Sequence, residues 1–409
     1  MSPPTCRLCT ASLEHVMADL GVSPLANRLL DPSELSQPEM FYPLKVFYCA
    51  ECHLAQIEEY ESPTQIFSDY PYLSSMSRSW LEHCSSFANS MIDRLQLDRR
   101  SLVVEVASND GSLLRFFQDR GIGVLGVEPA ANVALRAEGD GVPTISEFFG
   151  TSLASAIADD RQADLLVANN VLAHVPDLND FVEGLRLALS PEGVLSIEFP
   201  HLLRLIEGRK FDTIYHEHFS YFSLHAVREV LFRHGLAMID VEELPTHGGS
   251  LRVLAAREKI NVNMSPRVDE MIGQEAEAGL TDPTTYELFS ETVKSEKRRI
   301  VGAVLGLKEA GHTIAGYGAP AKGNTLLNYC GLSTEVIDFT VDASPLKQGK
   351  YLPGSRIPIL APEAIDERKP DLIFILPWNL KSEIMTQLAH CRGWGARFLI
   401  RTPDVQVLA

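Results

Sequence analysis

Apolar positions in this chain follow two periods, and the switches between them outline the fold. Short apolar runs at 102–107, 123–127, 164–169 and 194–199, each closed by polar residues or glycine, have the length of strands buried on both faces. Between them apolar residues recur at helical spacing, after Leu113 and after Asp177. The same spacing fills 80–95, ahead of the first run. Strand alternating with helix predicts a parallel sheet covered by helices. A charged helical stretch follows at 267–278 and 286–299 and reads as a pair of linker helices. The alternation then restarts: a helix at 300–310, a strand at 313–317, a helix at 325–329, and strands at 336–342 and 371–376. The chain reads as α/β, with one Rossmann-like unit at 76–255 and a second, C-terminal Rossmann-like unit at 256–409.

Residues 1–75 lack that alternation and carry Cys6-Arg7-Leu8-Cys9 and Cys49-Ala50-Glu51-Cys52. Each pair is a knuckle that turns two thiolates toward one centre. Two knuckles complete a tetrahedral sulfur shell, which suits zinc and leaves no position for substrate. Two unrelated reduced knuckles, or a redox pair, are the alternatives. Structural zinc in a small zinc-binding subdomain is the stronger reading, because a short segment needs a staple; it is expected to lie far from the chemistry. Short strands at 47–48 and 54–57 fit around the metal. Cys84, Cys330 and Cys391 stand alone and read as buried small hydrophobes.

Length and charge narrow the function. A chain of 409 residues holds two or three domains. A net charge of -18 disfavours a nucleic-acid scaffold, which needs a basic face, but leaves room for one basic pocket. No apolar run is long enough to span a membrane, and Met1-Ser2-Pro3-Pro4-Thr5 lacks a signal-peptide layout, so a cytoplasmic protein is expected.

The loop after the first Rossmann strand is Ser108-Asn109-Asp110-Gly111-Ser112. A dinucleotide needs more glycines there, so that pyrophosphate can reach the helix N-terminus, and Asp110 would repel phosphate. Glu128 ends the second strand, where an acidic residue commonly holds ribose hydroxyls. A cofactor with ribose, a sulfonium and no phosphate fits: S-adenosylmethionine, with Glu105 or Asp110 near the cation and the third strand end at Asn169 near adenine. Glu105, Ser108, Asn109, Asp110, Glu128, Pro129, Asn132 and Asn169 form the candidate cofactor set. A generic Rossmann-like unit with an incidental acidic residue is the alternative.

Chemistry concentrates at Tyr215-His216-Glu217-His218-Phe219-Ser220-Tyr221-Phe222. The run offers a base near neutral pH, hydroxyl donors and an orienting carboxylate. Taken alone it equally suits a polar strand end, or a metal site built from His216 and His218. The Tyr/Ser-rich loop at 67–77 reads as a surface turn or a substrate-facing lid. Beyond the run, Gly248-Gly249 beside a strand allows close approach by a ligand, and His247 could be only a turn residue. In the C-terminal unit, Gly318-Ala319-Pro320-Ala321-Lys322-Gly323-Asn324 places a lysine at a helix N-terminus, an anion site by geometry.

Taken in order, these motifs resemble the zinc-containing sugar C-methyltransferases that act on nucleotide-linked ketosugars. The resemblance rests on both knuckles, Glu105 to Gly111, Gly126-Val127-Glu128-Pro129-Ala130, the run at 215–222, Gly248-Gly249-Ser250-Leu251-Arg252 and the loop at 316–324. It is nearest to the deoxysugar C-3′-methyltransferases of antibiotic biosynthesis. What it implies is methylation of C-3′ of a dTDP-linked 4-keto deoxysugar, a 3-amino-2,3,6-trideoxy sugar, through an enolate. The resemblance makes His218 the base, with Tyr215 and Glu217 beside it, His174 facing the same cleft, and Tyr70 or Tyr72 reaching in from the lid-like loop. It implies that Lys322, Asn324 and Lys347 hold the nucleoside diphosphate, with Ser250, Arg252, Tyr317 and Asp342 also on the substrate. No nucleic-acid or membrane partner is expected, and the chain is expected to be a monomer or weak dimer. An O- or N-methyltransferase, or a non-catalytic zinc-stapled nucleotide-binding protein, are the readings of other classes.

Overall fold

Three sheets carry the chain, and they do not follow one another neatly along it. The computed structural model describes residues 4–64, 73–258, 264–402 and 404–409. Near the N-terminus, β1 (His15–Ser23), β2 (Tyr42–Tyr48) and β3 (Ala55–Ile57) form an antiparallel sheet. Its fourth strand comes from far away in sequence: β9 (Ser220–Tyr221), paired antiparallel to β3 through Ala55↔Tyr221 and Gln56↔Ser220. The chemically rich run is thus an edge of the zinc-side sheet.

The central sheet has seven strands. β4 (Leu102–Val106), β5 (Gly123–Val127), β6 (Thr144–Ile145), β7 (Ala163–Asn169) and β8 (Leu189–Pro200) run parallel, while β10 (Leu236–Leu244) and β11 (Ser250–Arg257) form a hairpin on β8. The order is β10-β11-β8-β7-β4-β5-β6. Connections reverse direction on either side of β4 and β7, which opens a crevice beyond their carboxyl ends. β8 is longer than its apolar run. Pro191-Glu192-Gly193, ahead of the apolar run, is absorbed into the strand at a register irregularity against β7.

The C-terminal sheet has the order β14-β13-β12-β15-β16-β17. β12 (Ile314–Tyr317), β13 (Phe339–Val341), β14 (Ile359–Leu360), β15 (Leu372–Ile375) and β16 (Arg397–Ile400) are parallel, and β17 (Gln406–Leu408) is an antiparallel edge. The helices expected at 286–299 and 300–310 are one helix, Pro283–Glu309. Asp282 caps it by accepting from the Thr284 N–H, Pro283 starts it, and nothing breaks it before Glu309. Its buried Tyr286, Phe289, Val293, Ile300 and Val304 keep helical spacing throughout.

One apolar core joins this helix, the N-terminal sheet, Phe219 and Tyr221, and the C-terminal sheet. The rings of Tyr48 and Tyr286 stack within it, 3.8 Å apart. Beside it, the fully buried Arg401 pairs with Asp212, and Asp212 also accepts from the Trp378 indole N–H at 2.7 Å. Removing one member of such a pair strands the other charge, at a cost of about 3–5 kcal/mol. The segment leading into residues 215–222 is therefore locked to the C-terminal unit as well as to the zinc side.

Candidate active site

A cavity of about 560 Å³ lies over the crevice of the central sheet. Its walls include Glu105, Ser108, Asn109, Glu128, Pro129 and Asn169 from the strand ends, His174, Tyr215, Glu217 and His218 from the loops above them, and Lys322 from the C-terminal unit.

The strand ends make an acceptor-rich floor. Glu105 Oε2, Ser108 Oγ, Asn169 Oδ1 and Asn170 Oδ1 are buried with no hydrogen-bond partner among the described residues. A buried polar atom left so costs about 1–3 kcal/mol, so the floor is built to receive donors or a cation. Burial, with Asp110 and Glu128 nearby, pushes the Glu105 carboxyl well above the usual range. Glu128 accepts the Asn109 N–H at 3.0 Å and the Ala130 N–H at 2.9 Å, while burial raises its pKa. The loop needs unusual backbone: Ala107 and Asn109 have φ of 58° and 50°. Asparagine visits that region readily and alanine does not, so Ala107 marks local strain. This floor fits S-adenosylmethionine, whose ribose and ammonium groups donate.

Above the floor, burial rather than solvent sets the chemistry. His218 Nδ1–H donates to the Thr213 carbonyl at 3.1 Å, which leaves Nε2 to accept from the Tyr215 hydroxyl at 2.9 Å. His174 Nδ1–H donates to the Glu217 carbonyl at 2.6 Å, and the two imidazoles meet edge to face, 4.8 Å apart. Burial pushes the His174 pKa down to about 4, and burial with His174 alongside pushes His218 well below the usual range. Both are neutral at physiological pH, fixed in one tautomer by backbone carbonyls. The Glu217 carboxyl is buried and accepts from Asn27 Nδ2 at 2.6 Å; burial raises its pKa to about 7. His216 turns away, its Nε2 on the Pro43 carbonyl at 3.1 Å. With the two imidazoles committed to different partners, a metal site on His216 and His218 has no support here.

Lys322 enters the cavity from the N-terminus of helix Ala321–Cys330. It donates to Asn379 Oδ1 at 2.8 Å and lies 4.7 Å from the Trp378 ring. Burial lowers its pKa to about 8. Next on that helix, Asn324 is buried with neither amide atom partnered among the described residues. Lys347 donates to the Ala319 carbonyl at 3.0 Å and sits 3.7 Å from Asp342.

Several expected residues are elsewhere. Asp110 accepts from Ser75 N–H at 3.0 Å and from the Ser112 hydroxyl, and it is not on the cavity wall; Asn132 is exposed on helix Ala131–Gly139. Arg252 is buried under the sheet, bonded to Glu198 and Glu242 at 3.2 Å each and packed 4.6 Å from the Phe87 ring. Ser250 donates to the Thr246 carbonyl, and Tyr317 donates to Gln387. Asp342 accepts from Ala319 N–H and Ser344 N–H. The glycine pair does permit close approach, but by Trp378: a Cβ on Gly248 would fall 2.6 Å from the indole. Tyr70 and Tyr72 lie outside the described residues.

Sequence reading missed Asn27, Trp80, Asn170 and Trp378, and His247 turns out to line the cavity. None stands in a motif that announces chemistry. Only the fold brings Asn27 onto Glu217 or Trp378 under Lys322.

The four knuckle thiols come together, all within 4.8 Å of one another. The knuckles are built alike. Thr10 and His53, each just after a second cysteine, have φ near 63° and 62°, and their N–H groups donate to the Cys6 and Cys49 carbonyls at 2.9 Å. Gln56 Nε2 donates to Cys6 Sγ at 3.1 Å, as a thiolate ligand requires. β3 of this subdomain pairs directly with β9, and none of the four cysteines lines the cavity.

Known proteins agree with this layout. A zinc binding domain family matches residues 6–67, a methyltransferase domain family 80–241, and a C-methyltransferase C-terminal domain family 245–403. The C-methyltransferase NovU of Streptomyces niveus is 36% identical over 405 residues, covering 99% of this chain and 96% of that protein. Among solved structures, the glycopeptide N-methyltransferase MtfA with S-adenosylmethionine aligns over 42% of this chain and 93% of its own, at 15% identity and a TM-score of 0.34. Magnesium protoporphyrin IX methyltransferase from Synechocystis PCC 6803 aligns over 43% and 83%, at 16% identity and 0.34. The near-full-length relative and the three domain matches settle the assignment: this chain belongs to the S-adenosylmethionine-dependent C-methyltransferases that carry an N-terminal zinc-binding domain.

Proposed function

We propose that the chain methylates C-3′ of a dTDP-linked 4-keto deoxysugar, a 3-amino-2,3,6-trideoxy sugar, through an enolate, in the making of an unusual antibiotic sugar. The observation that carries this reading is the shared cavity. Acceptor atoms at its floor, a neutral imidazole pair above them and a lysine at its edge face one space. Methylating carbon requires removal of a proton next to a ketone, then a partner for the negative oxygen. His218 takes the proton at Nε2, where Tyr215 now donates. Tyr215, once displaced from that nitrogen, is placed to donate to the enolate oxygen. His174 stays neutral and fixes one side of the pair. Glu105, Ser108, Glu128 and Asn169 would hold S-adenosylmethionine, which when bound supplies an electrophilic methyl group. Lys322, with the unpartnered Asn324 behind it, would hold the diphosphate; Lys347, already on Asp342, would reinforce it less.

An O- or N-methyltransferase needs no carbanion and has less use for a desolvated base. The deciding experiment is solvent deuterium incorporation at the α-carbon of a dTDP-4-ketosugar without S-adenosylmethionine, followed by mass spectrometry of the methylated product. Exchange and C-methylation are expected. Methylation without exchange, on oxygen or nitrogen, would overturn the reading, and tight binding of both ligands with no turnover would favour a non-catalytic role.

A further inference from the structure

We propose that Arg7, which stands between two zinc ligands, is a positioning residue for the His174–His218 pair, so that the zinc knuckle sets the geometry of the candidate base. The kinetic arm of the proposal rests on the function given above; the spectroscopic arm does not.

The argument starts from what one guanidinium touches. Arg7 Nη1 donates to the Pro176 carbonyl at 3.0 Å, and Nη2 donates to the Ile57 carbonyl. Its carbon lies 5.5 Å from the centre of the Phe219 ring. Pro176 is two residues beyond His174 on the same turn, and Phe219 follows His218 directly. Ile57 in turn receives the other side of the clamp, donating its N–H to the Phe219 carbonyl at 3.0 Å. One planar, multi-donor cation therefore braces the turn that carries His174 and the segment that carries His218 into β9. A lysine offers no fork to satisfy two carbonyls in these directions.

Arg7 is itself held by the knuckle. Its N–H donates to Gln56 Oε1 at 2.9 Å, and its carbonyl accepts from Asn179 Nδ2 at 3.1 Å. The same Gln56 is buried, donates to Cys6 Sγ, and pairs with Ser220 across β3 and β9. Two routes thus run from Cys6 to the imidazoles: through the chain to the Arg7 guanidinium, and through Gln56 to β9. A loose knuckle would release both brackets of the pair together.

The test uses the full-length, zinc-loaded protein. Arg7→Ala and Arg7→Lys are compared with wild type for zinc content, thermal melting and imidazole ¹⁵N signals. Zinc content is expected to hold. The His174 and His218 signals are expected to move while those of His312 and His390, in the C-terminal unit, stay. With a dTDP-4-ketosugar, kcat is expected to fall about 10- to 100-fold with the KM for S-adenosylmethionine unchanged. Free guanidinium at millimolar concentration should restore part of the loss in Arg7→Ala. Wild-type imidazole signals and kcat in Arg7→Ala would overturn the proposal. If Arg7→Ala does not fold, Arg7→Lys carries the same readouts. A wild-type protein inert toward ketosugars sinks the function reading, and the imidazole signals still decide this one.

Discussion

The two Rossmann-like units share an architecture and differ in the sign of what their crevices offer. Each has an acidic residue closing its second strand: Glu128 after β5 and Asp342 after β13. Each of these accepts two backbone N–H groups. The neighbours make the difference. Around Glu128, oxygens of Glu105, Ser108 and Asn169 on the cavity-lining residues have no hydrogen-bond partner among the described residues. Around Asp342, Lys347 lies 3.7 Å away, Lys322 stands in the first turn of a helix, and the Asn324 amide has no partner among the described residues. The same motif thus prepares one crevice for a cation with hydroxyls and the other for an anion. An acidic residue at a strand end is evidence for a ligand only when its surroundings are known.

The place where the two crevices meet should show the largest effect. His218→Asn removes the proposed base while keeping size and polarity, so turnover should fall about 10²–10⁴-fold with both ligands still bound. Proton exchange at the α-carbon should fall in parallel; exchange at the wild-type rate would move the base to Tyr215 or His174. Burial depresses both imidazoles, so wild-type kcat/KM should show no acid limb from them between about pH 5 and pH 7. A limb near the ordinary histidine pKa would mean that bound substrate or solvent reverses this desolvation.

Glu128→Ala tests the acidic crevice. Losing charge-assisted hydrogen bonds, about 1.5–3 kcal/mol each, should weaken S-adenosylmethionine and leave sugar-nucleotide affinity intact. Calorimetry showing unchanged cofactor affinity would remove Glu128 from the site. Glu217 offers a stability test of the same desolvation. Burial raises its carboxyl pKa from the ordinary 4.5 to about 7 in the folded chain. The penalty is absent below the unfolded value, grows as pH rises toward 7, and is complete above it. Glu217→Gln should therefore gain on wild type with rising pH, by at most about 3 kcal/mol. A pH-independent difference between their denaturation curves would mean that Glu217 ionises freely.

Much of this was legible in the chain. Strand runs and helical spacing located both α/β units, because buried parallel strands and amphipathic helices leave strong periods. Paired CxxC knuckles located the metal, and the run at 215–222 held His218, one imidazole of the pair. Pairing across long separations was not legible. β9 is two residues long, and nothing in Ser220-Tyr221 says that its partner is Gln56. The resemblance put Arg252 on the substrate, yet Glu198 and Glu242, both strand residues, hold it in ion pairs. Trp378 follows an unremarkable strand end and acquires meaning only where Gly248, Asp212 and Lys322 converge on it.

The smallest expected effect is the sharpest test of the comparison. Lys322 is half-buried, its pKa lowered to about 8 by desolvation, and it donates to a neutral amide, Asn379. A cation held so, beside an aromatic face and at a helix N-terminus, is suited to an anion that supplies the missing charge. Lys322→Ala should raise KM for the sugar nucleotide about tenfold, near the lower end for a charged hydrogen bond, and leave KM for S-adenosylmethionine alone. Since a bound diphosphate would stabilise the ammonium form, sugar-nucleotide affinity should also weaken in wild type as pH rises through about 8, and this dependence should vanish in the variant. The reverse pattern, a cofactor defect with normal sugar-nucleotide affinity, would exchange the roles of the two crevices.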